Sequence, residues 1–245
     1  MAIIEATLID SMGSDLSVVN AARVSFGKKS EWKVDWLYGT DEIGDYEEPV
    51  LSLSDKDANL IKYLAEHKHF SPFGHAFASF HVKAPIFVAR QLVKHKFLRW
   101  NEISRRYVDD EPEFYMPKVW RGRSEDKKQG STGVVNLTDL NCFGDEFQGN
   151  FGEIDLASQT WDVMFDVKDL YEKLVQVGVA PEQARMVLPT SQMTEWYWSG
   201  SLDAFADMCK LRCKEDTQYE TRLVADQISE KMKQLFPVSW EALVG

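Results

Sequence analysis

Apolar and polar residues follow two periods along the first half of the chain. After Ser54 and Asp57, which form a capping box, the apolar residues of 60–65 recur at helical spacing and predict a helix. Residues 76–82 alternate between two sets of positions, as a strand does. A proline then suits the first turn of a further helix over 85–96. Helix and strand are therefore mixed in this half of the chain.

The helix predicted at 85–96 has two distinct faces. At 100° per residue, Ile86, Ala89 and Val93 share one arc, which we expect to face the core. The residues on the other arc are polar or cationic: Arg90, Gln91 and Lys94. This helix should therefore carry a cationic surface on one side.

The second half of the chain shows the same mixture. Helical spacing predicts a helix over 159–177 that a glycine closes, and a proline opens a short helix over 181–188. An aromatic strand is predicted over 191–198. Two further helices follow, the first capped by Ser201 and the last ending near Pro237. Because strands and helices do not alternate regularly, we predict an α+β fold and not a doubly wound sheet.

One long stretch follows neither period. Residues 121–155 are rich in glycine, serine, asparagine and charge, which predicts a long excursion from the fold. Loops of this length inside compact domains are usually functional or disordered. We expect the segments on both sides to build one site, so we predict a single domain over 1–245.

The overall charge restricts the classes of partner. A formal net charge of −11 argues against nucleic-acid polymers and membrane surfaces, since both are polyanionic. The first residues include Glu5 and Asp10 and predict no signal peptide, and no apolar run approaches the ~18–20 residues that span a bilayer. The three cysteines form no C-x-x-C motif. We therefore expect a cytoplasmic protein.

A concentrated block of positive charge interrupts this acidic background. Between residues 90 and 106 the only acid is Glu102, and the cations are Arg90, Lys94, Lys96, Arg99, Arg105 and Arg106. Guanidinium groups beside the amides of Gln91 and Asn101 suit phosphate oxygens and the edges of a base. The block predicts a nucleotide or dinucleotide site, with a solvated surface or an oligomer contact as the alternative.

Other reactive side chains give weaker signals. All five histidines fall within 67–95, but no acid lies between residues 67 and 101 and no zinc motif is present, so we expect no metal site. No nucleophile elbow or glycine-rich phosphate loop is present. Ser104 could be a nucleophile, but a hydrogen-bonding role is the simpler interpretation. Cys209 and Cys213 are expected to be buried fillers.

The basic block carries a resemblance to a known family. The stretch KHKFLRWNEISRRY (94–107) resembles the signature of flavin-dependent thymidylate synthases, in which R-H-R is followed by seven residues and a serine, with N-E-x-S-x-R-Y inside it. Further segments are similar to other blocks of that family and occur in order along the chain: 21–28, 53–75, 80–91, 114–121, 128–131, 184–189 and 211–220.

The resemblance implies an activity and an assembly. Members of the family methylate dUMP to dTMP, with methylenetetrahydrofolate as carbon donor and NADPH as reductant through FAD. They are homotetramers with active sites at subunit interfaces, and their fold is a curved antiparallel sheet with packed helices. No cysteine nucleophile is used.

The resemblance also implies site residues. Those expected to hold dUMP are Gln91, Lys94, Glu102, Ser104, Arg105, Arg106, Arg185 and Arg212. Arg106 and Arg185 would contact the phosphate, and Arg212 would favour the ionised N3 of the pyrimidine. Those expected to hold FAD are Ser71, Lys94, His95, Lys96 and Glu102, with His69 beside the flavin.

This chain departs from the family pattern in places. Lys94 and Lys96 stand where the signature has arginine, and Asp203 and Asp207 stand where the family has Arg and Asn. These changes are expected to loosen FAD. Two alternatives remain: a related folate-dependent modification of another pyrimidine nucleotide, such as hydroxymethylation, or a nucleotide-binding homologue without turnover.

Overall fold

A computed structural model of the protein describes residues 2–40, 45–124, 130–137 and 156–245. The strands are β1 (Glu5–Met12), β2 (Lys33–Thr40), β3 (Asp45–Ser52), β4 (Phe77–Pro85), β5 (Arg99–Glu102), β6 (Arg121–Arg123), β7 (Ser131–Val134) and β8 (Met193–Ser201). The helices are α1 (Asp15–Arg23), α2 (Asp55–Glu66), α3 (Ile86–Leu92), α4 (Leu156–Gln176), the single-turn α5 (Pro181–Ala184), α6 (Leu202–Arg212), α7 (Tyr219–Leu235) and α8 (Pro237–Val244). Short 3-10 helices cover Val24–Phe26, Ser71–His75 and Arg185–Val187.

The main sheet of the described residues has four antiparallel strands in the order β1-β4-β8-β5. One face of β4 is buried, and there the ring of Phe80 meets Phe205 of α6 edge to face at 5.3 Å. Trp198 of β8 contacts the same ring of Phe205 at 5.7 Å. Helices α6 and α7 cover this face, α8 packs on these two helices, and all three share one apolar core with α1 and α2. The α+β prediction, with helices packed on an antiparallel sheet, is confirmed.

The elements with clear periodicity form as predicted. Ser54 caps α2, because its Oγ accepts a hydrogen bond from the backbone N–H of Asp57 at 3.2 Å. The predicted strands at 76–82 and 191–198 correspond to β4 and β8, and the helix at 159–177 corresponds to α4.

The prediction of a helix over 85–96 is wrong in its length and in part of its buried face, although Ala89 is buried as expected. Helix α3 ends at Leu92, and Val93 is 46% exposed, while the buried residues of the helix are Val88, Ala89 and Leu92. The chain must turn here because β5 begins at Arg99 and pairs with β8. Phe97 makes this turn with a positive φ of 67°.

Pro237 opens a helix where the sequence predicted an end. A proline is well tolerated in the first helical turn because the N–H that it lacks has no helical partner there. The N-terminus of α8 is capped by Asp15, whose carboxylate accepts from the backbone N–H groups of Val238 at 3.0 Å and Ser239 at 2.9 Å. This contact ties the start of the chain to its end.

Two antiparallel ribbons among the described residues lie outside the main sheet. Strands β2 and β3 form one ribbon, on which Trp36 is 53% exposed. Strands β6 and β7 form the other, within the segment 121–155 that was predicted as an excursion. Residues 125–129 and 138–155 of that segment, which include Cys142, lie outside the described residues.

Candidate active site

Two clefts in the described part of the chain hold most of the residues expected to bind nucleotide. Cleft A, of about 640 Å³, is lined by Glu102, Arg105 and Arg185 among others. Cleft B, of about 600 Å³, is lined by residues that include Gln91, Lys94 and Arg212. Arg90, on the exposed side of α3, lines both clefts. The cationic face predicted for this helix is therefore the ridge between the two clefts.

Glu102 is held in a fixed position at the wall of cleft A. It lies at the end of the edge strand β5, where Oε1 accepts a hydrogen bond from Thr194 Oγ1 at 2.7 Å and Oε2 accepts from Trp100 Nε1 at 3.1 Å. Trp100 in turn stacks on Trp196, with ring centroids 4.3 Å apart. Because both oxygens have donors, the carboxylate is oriented before any ligand arrives.

Cleft A is more mixed in charge than the sequence suggested. Lys83 Nζ lies 2.8 Å from Glu113 and 3.7 Å from Glu195, and all three side chains line the cleft. Hydrogen bonding to Glu113 raises the pKa of Lys83. Arg185 donates from Nε to the carbonyl of Glu182 at 3.3 Å. The sequence analysis did not predict Lys83, Glu113 or Glu195 as site residues. They lie on the polar faces of strands and in a loop, where no local pattern marks them.

Ser104 and Arg106 interact with each other beyond β5. Ser104 Oγ accepts from Arg106 Nε at 3.2 Å and from its backbone N–H at 3.3 Å. The Arg106 guanidinium lies over the ring of Tyr107, 4.9 Å from the centroid. In this arrangement the hydroxyl serves as a hydrogen-bond acceptor, and the exposed arginine remains accessible to an anion.

In cleft B, Arg212 is oriented by two groups near the end of α3. Its Nε donates to His95 Nε2 at 3.0 Å, and its Nη2 donates to the Gln91 carbonyl at 3.3 Å. Burial lowers the pKa of Arg212. Burial, and then the charge of Arg212, lower the pKa of His95 to about 4, so this histidine is neutral at physiological pH. Gln91 Nε2 also bonds Gln218, a residue of cleft B that the sequence analysis did not single out.

His69 and Ser71, expected beside the flavin, line neither cleft. They follow α2, where the His69 ring meets Tyr63 edge-on at 6.1 Å. The 3-10 helix that contains Ser71 packs on α6, and the N–H of Leu202 bonds the carbonyl of Ala76 at 2.8 Å. At this end of α6 a carboxylate oxygen of Asp203 is buried without a hydrogen-bond partner among the described residues.

Lys96 and Cys209 also line neither cleft in the part of the chain that the structure describes, residues 2–40, 45–124, 130–137 and 156–245. Lys96 lies exposed in the turn after α3. Cys209 is buried, and burial raises the pKa of its thiol. No group of three or more His, Cys, Asp or Glu residues in these ranges could hold a metal ion. No helix in the same ranges is both long enough and apolar enough to cross a bilayer.

The fold and the two arginine-bearing clefts define an α+β protein suited to an anionic ligand, and comparison with known proteins gives its family. Residues 7–238 match the family described as thymidylate synthase complementing protein. The flavin-dependent thymidylate synthase of Kosmotoga olearia is 36% identical over 238 residues, which cover 97% of this chain and 89% of that protein. The enzyme of Thermus thermophilus is 37% identical over 235 residues, covering 96% and 73%.

Solved structures agree with the sequence relatives. The UMP/dUMP methylase PolB from Streptomyces cacaoi, bound with 5-Br dUMP, superposes with a TM-score of 0.73 at 28% identity, covering 98% of this chain and 94% of that one. The same protein bound with 5-Br UMP gives a TM-score of 0.72 at 27% identity, covering 99% and 94%. The chain belongs to the flavin-dependent thymidylate synthase family and is an enzyme of that type.

Proposed function

We propose that this protein methylates dUMP to dTMP in the cytoplasm, with methylenetetrahydrofolate as carbon donor and NADPH-reduced FAD as hydride source. Family membership supports the reaction class, and a structural neighbour is described as a UMP/dUMP methylase. The observation that carries the proposal is the oriented guanidinium of Arg212 in cleft B. An oriented cation in a partly buried site stabilises negative charge that develops on a bound ring.

The residues of the two clefts divide the work of holding the nucleotide. Arg185 of cleft A binds the phosphate together with Arg106, which lies just beyond β5 and lines neither cleft. Exposed guanidinium forks are well suited to this role. Arg212 faces the pyrimidine and favours its ionised N3, which increases electron density at C5. Glu102, already fixed by Thr194 and Trp100, orients the nucleotide between these ends. No covalent attack by a protein thiol is required.

The side chains at the expected flavin site fit FAD in two ways. Bound FAD would supply the redox chemistry of the reaction, including the hydride that completes the methyl group. Lys94 and Lys96 are exposed cations that suit a diphosphate. The unpartnered carboxylate oxygen of Asp203 needs a donor, which a sugar hydroxyl provides and a phosphate does not. Ser71 adds a hydroxyl near the same helix end.

A homotetramer with active sites shared between subunits would explain why the expected nucleotide-binding residues are divided between two clefts. Cleft A contains Arg185 and cleft B contains Arg212, with the ridge of Arg90 between them. We propose that cleft A of one subunit and cleft B of another enclose the same nucleotide. The His69 and Ser71 segment would then reach the flavin across an interface.

The activity is tested with purified protein, FAD, NADPH, methylenetetrahydrofolate and either dUMP or dCMP. We expect dTMP from dUMP, together with bleaching of the visible flavin absorbance by NADPH. A hydroxymethylated product, or turnover of dCMP alone, would support the related pyrimidine modification instead. Nucleotide binding without any product would identify a homologue without turnover.

Subunit mixing tests the shared site. Arg185→Ala and Arg212→Ala should each be nearly inactive, but exchange of their subunits should restore activity at about a quarter of the sites, as random pairing predicts. The matched control mixes Arg185→Ala with the double variant, in which no pairing can supply both arginines. Failure of the first mixture to regain activity after verified exchange would place both arginines in one subunit's site.

A further inference from the structure

The contact between His95 and Arg212 joins two distant parts of the sequence. Arg212 is the last residue of α6, and its Nε reaches His95 Nε2 at 3.0 Å, across 117 positions of the chain. Its Nη2 reaches the carbonyl of Gln91 at 3.3 Å. Because a guanidinium is planar, contacts through Nε and one terminal nitrogen fix both the position and the plane of the group.

The direction of this hydrogen bond determines the protonation of His95. An arginine Nε–H can only donate, so His95 Nε2 must offer a lone pair and its ring proton lies on Nδ1. A protonated His95 would instead bring two positive groups together. The lowered pKa of about 4 agrees with this neutral state.

The side chain of His95 is less exposed than the side chains of its neighbours in the same turn. Val93 is 46% exposed and Phe97 is 84% exposed, whereas His95 is only partly exposed and is turned towards α6. Its backbone N–H is anchored on the Leu92 carbonyl at 3.1 Å. The turn therefore exposes apolar side chains and directs an imidazole inwards, onto Arg212.

We propose that His95 is a positioning residue that holds the Arg212 guanidinium at the angle needed to face the pyrimidine. The proposal rests on the proposed function, in which Arg212 acts on the bound ring. It differs from the role in flavin binding that the family resemblance implied for His95, because here the imidazole acts through Arg212.

A pair of substitutions separates the lone pair of His95 from its ring. His95→Gln keeps an acceptor near the position of Nε2 but removes the ring, and His95→Phe keeps the ring but removes the acceptor. With saturating FAD, we expect His95→Gln to retain kcat within about threefold. We expect His95→Phe to lower kcat by roughly tenfold to a hundredfold, the rate equivalent of one hydrogen bond to a charged group, with a smaller change in KM for dUMP.

The same substitutions in an Arg212→Ala background test whether His95 acts through Arg212. We expect His95→Phe to have no further effect on single-turnover rates there, because the group that it positions is absent. Additive losses, an unchanged His95→Phe enzyme, or losses that track bound flavin and disappear with added FAD would each overturn the proposal.

A spectroscopic measurement on the ligand-free protein separates this proposal from the function on which it rests. Nitrogen-15 NMR of labelled histidine should show the His95 proton on Nδ1 in the wild type. In Arg212→Ala the same measurement should show a mixture of the two tautomers. A proton on Nε2 in the wild type would overturn the contact itself. If the wild type makes no dTMP while the Nδ1 proton is observed, the proposed function fails and the positioning role fails with it, although the contact stands.

Discussion

Replacement of Arg212 by alanine is the most direct perturbation of the proposed site. The substitution removes one of the cations of cleft B and leaves the two acceptors that it bonds, His95 Nε2 and the Gln91 carbonyl, without this donor beside the cleft. Water can satisfy both acceptors there, so the cost in folding free energy should be small, about 1 kcal/mol. Chemistry should be affected far more than folding.

The expected catalytic loss follows from the position of the charge. Arg212 is only partly exposed, so its charge is less screened than that of a surface arginine. Removal of one preoriented donor from such a site typically costs about 3–4 kcal/mol of transition-state stabilisation, or roughly 10²–10³ in rate. Arg212→Lys keeps the charge but loses the fork, so it should recover only part of this loss.

The assay is single-turnover formation of dTMP by FAD-saturated enzyme, with bound flavin and thermal stability measured on the same samples. Arg222→Ala is the matched control, since that arginine lies on the next helix, 5.8 Å above the ring of Tyr219 and 3.9 Å from Asp226, and lines neither cleft. It should turn over normally. Turnover of Arg212→Ala within about threefold of the wild type would refute the assigned role.

Three further predictions concern pH, flavin affinity and thiols. The pKa of His95 is lowered from 6.5 to about 4, so between these pH values only the unfolded chain binds a proton at this residue. The free energy of unfolding should therefore fall by about 1–2 kcal/mol as the pH drops through this window. The fall should be smaller in Arg212→Ala, and chemical denaturation at several pH values measures both. Lys94→Arg with Lys96→Arg should tighten FAD by roughly tenfold in a fluorescence titration, and equal or weaker binding would show that the pocket has adapted to lysine. Replacement of all three cysteines should leave catalysis in place, and a trapped covalent adduct of dUMP with cysteine, seen by mass spectrometry, would contradict this.

The sequence predicts those parts of the fold whose cause is local. A capping box and an alternating strand are visible in a few consecutive residues, and α2 and β4 form as predicted. The end of α3 at Leu92 was missed because it depends on pairing between β5 and β8, which are almost a hundred residues apart. Pro237 was misplaced because a proline is compatible with both a helix end and a helix start.

For the candidate site, too, the sequence predicts only what does not depend on packing between distant elements. The types of side chain in the basic block indicated a nucleotide, because guanidinium and amide groups suit phosphate and base whatever the fold. No spacing could show that Glu102 and Arg212 would line different clefts, or that His95 would turn towards α6. These relations arise from packing between distant elements, which local patterns do not contain.

The stacked pair of Trp100 and Trp196 beside Glu102 is an intrinsic spectroscopic probe of cleft A. Trp100 and Trp196 lie nearly parallel, 18° apart in their planes, and the indole N–H of Trp100 is bonded to a carboxylate at the wall of cleft A. Transitions of two such rings mix, so the pair should produce an exciton couplet in the circular dichroism spectrum. A ligand that shifts the Glu102 carboxylate should change its hydrogen bond to Trp100, and with it the couplet and the indole emission. Occupancy of cleft A can therefore be followed in the unmodified protein, without a dye or a labelled nucleotide.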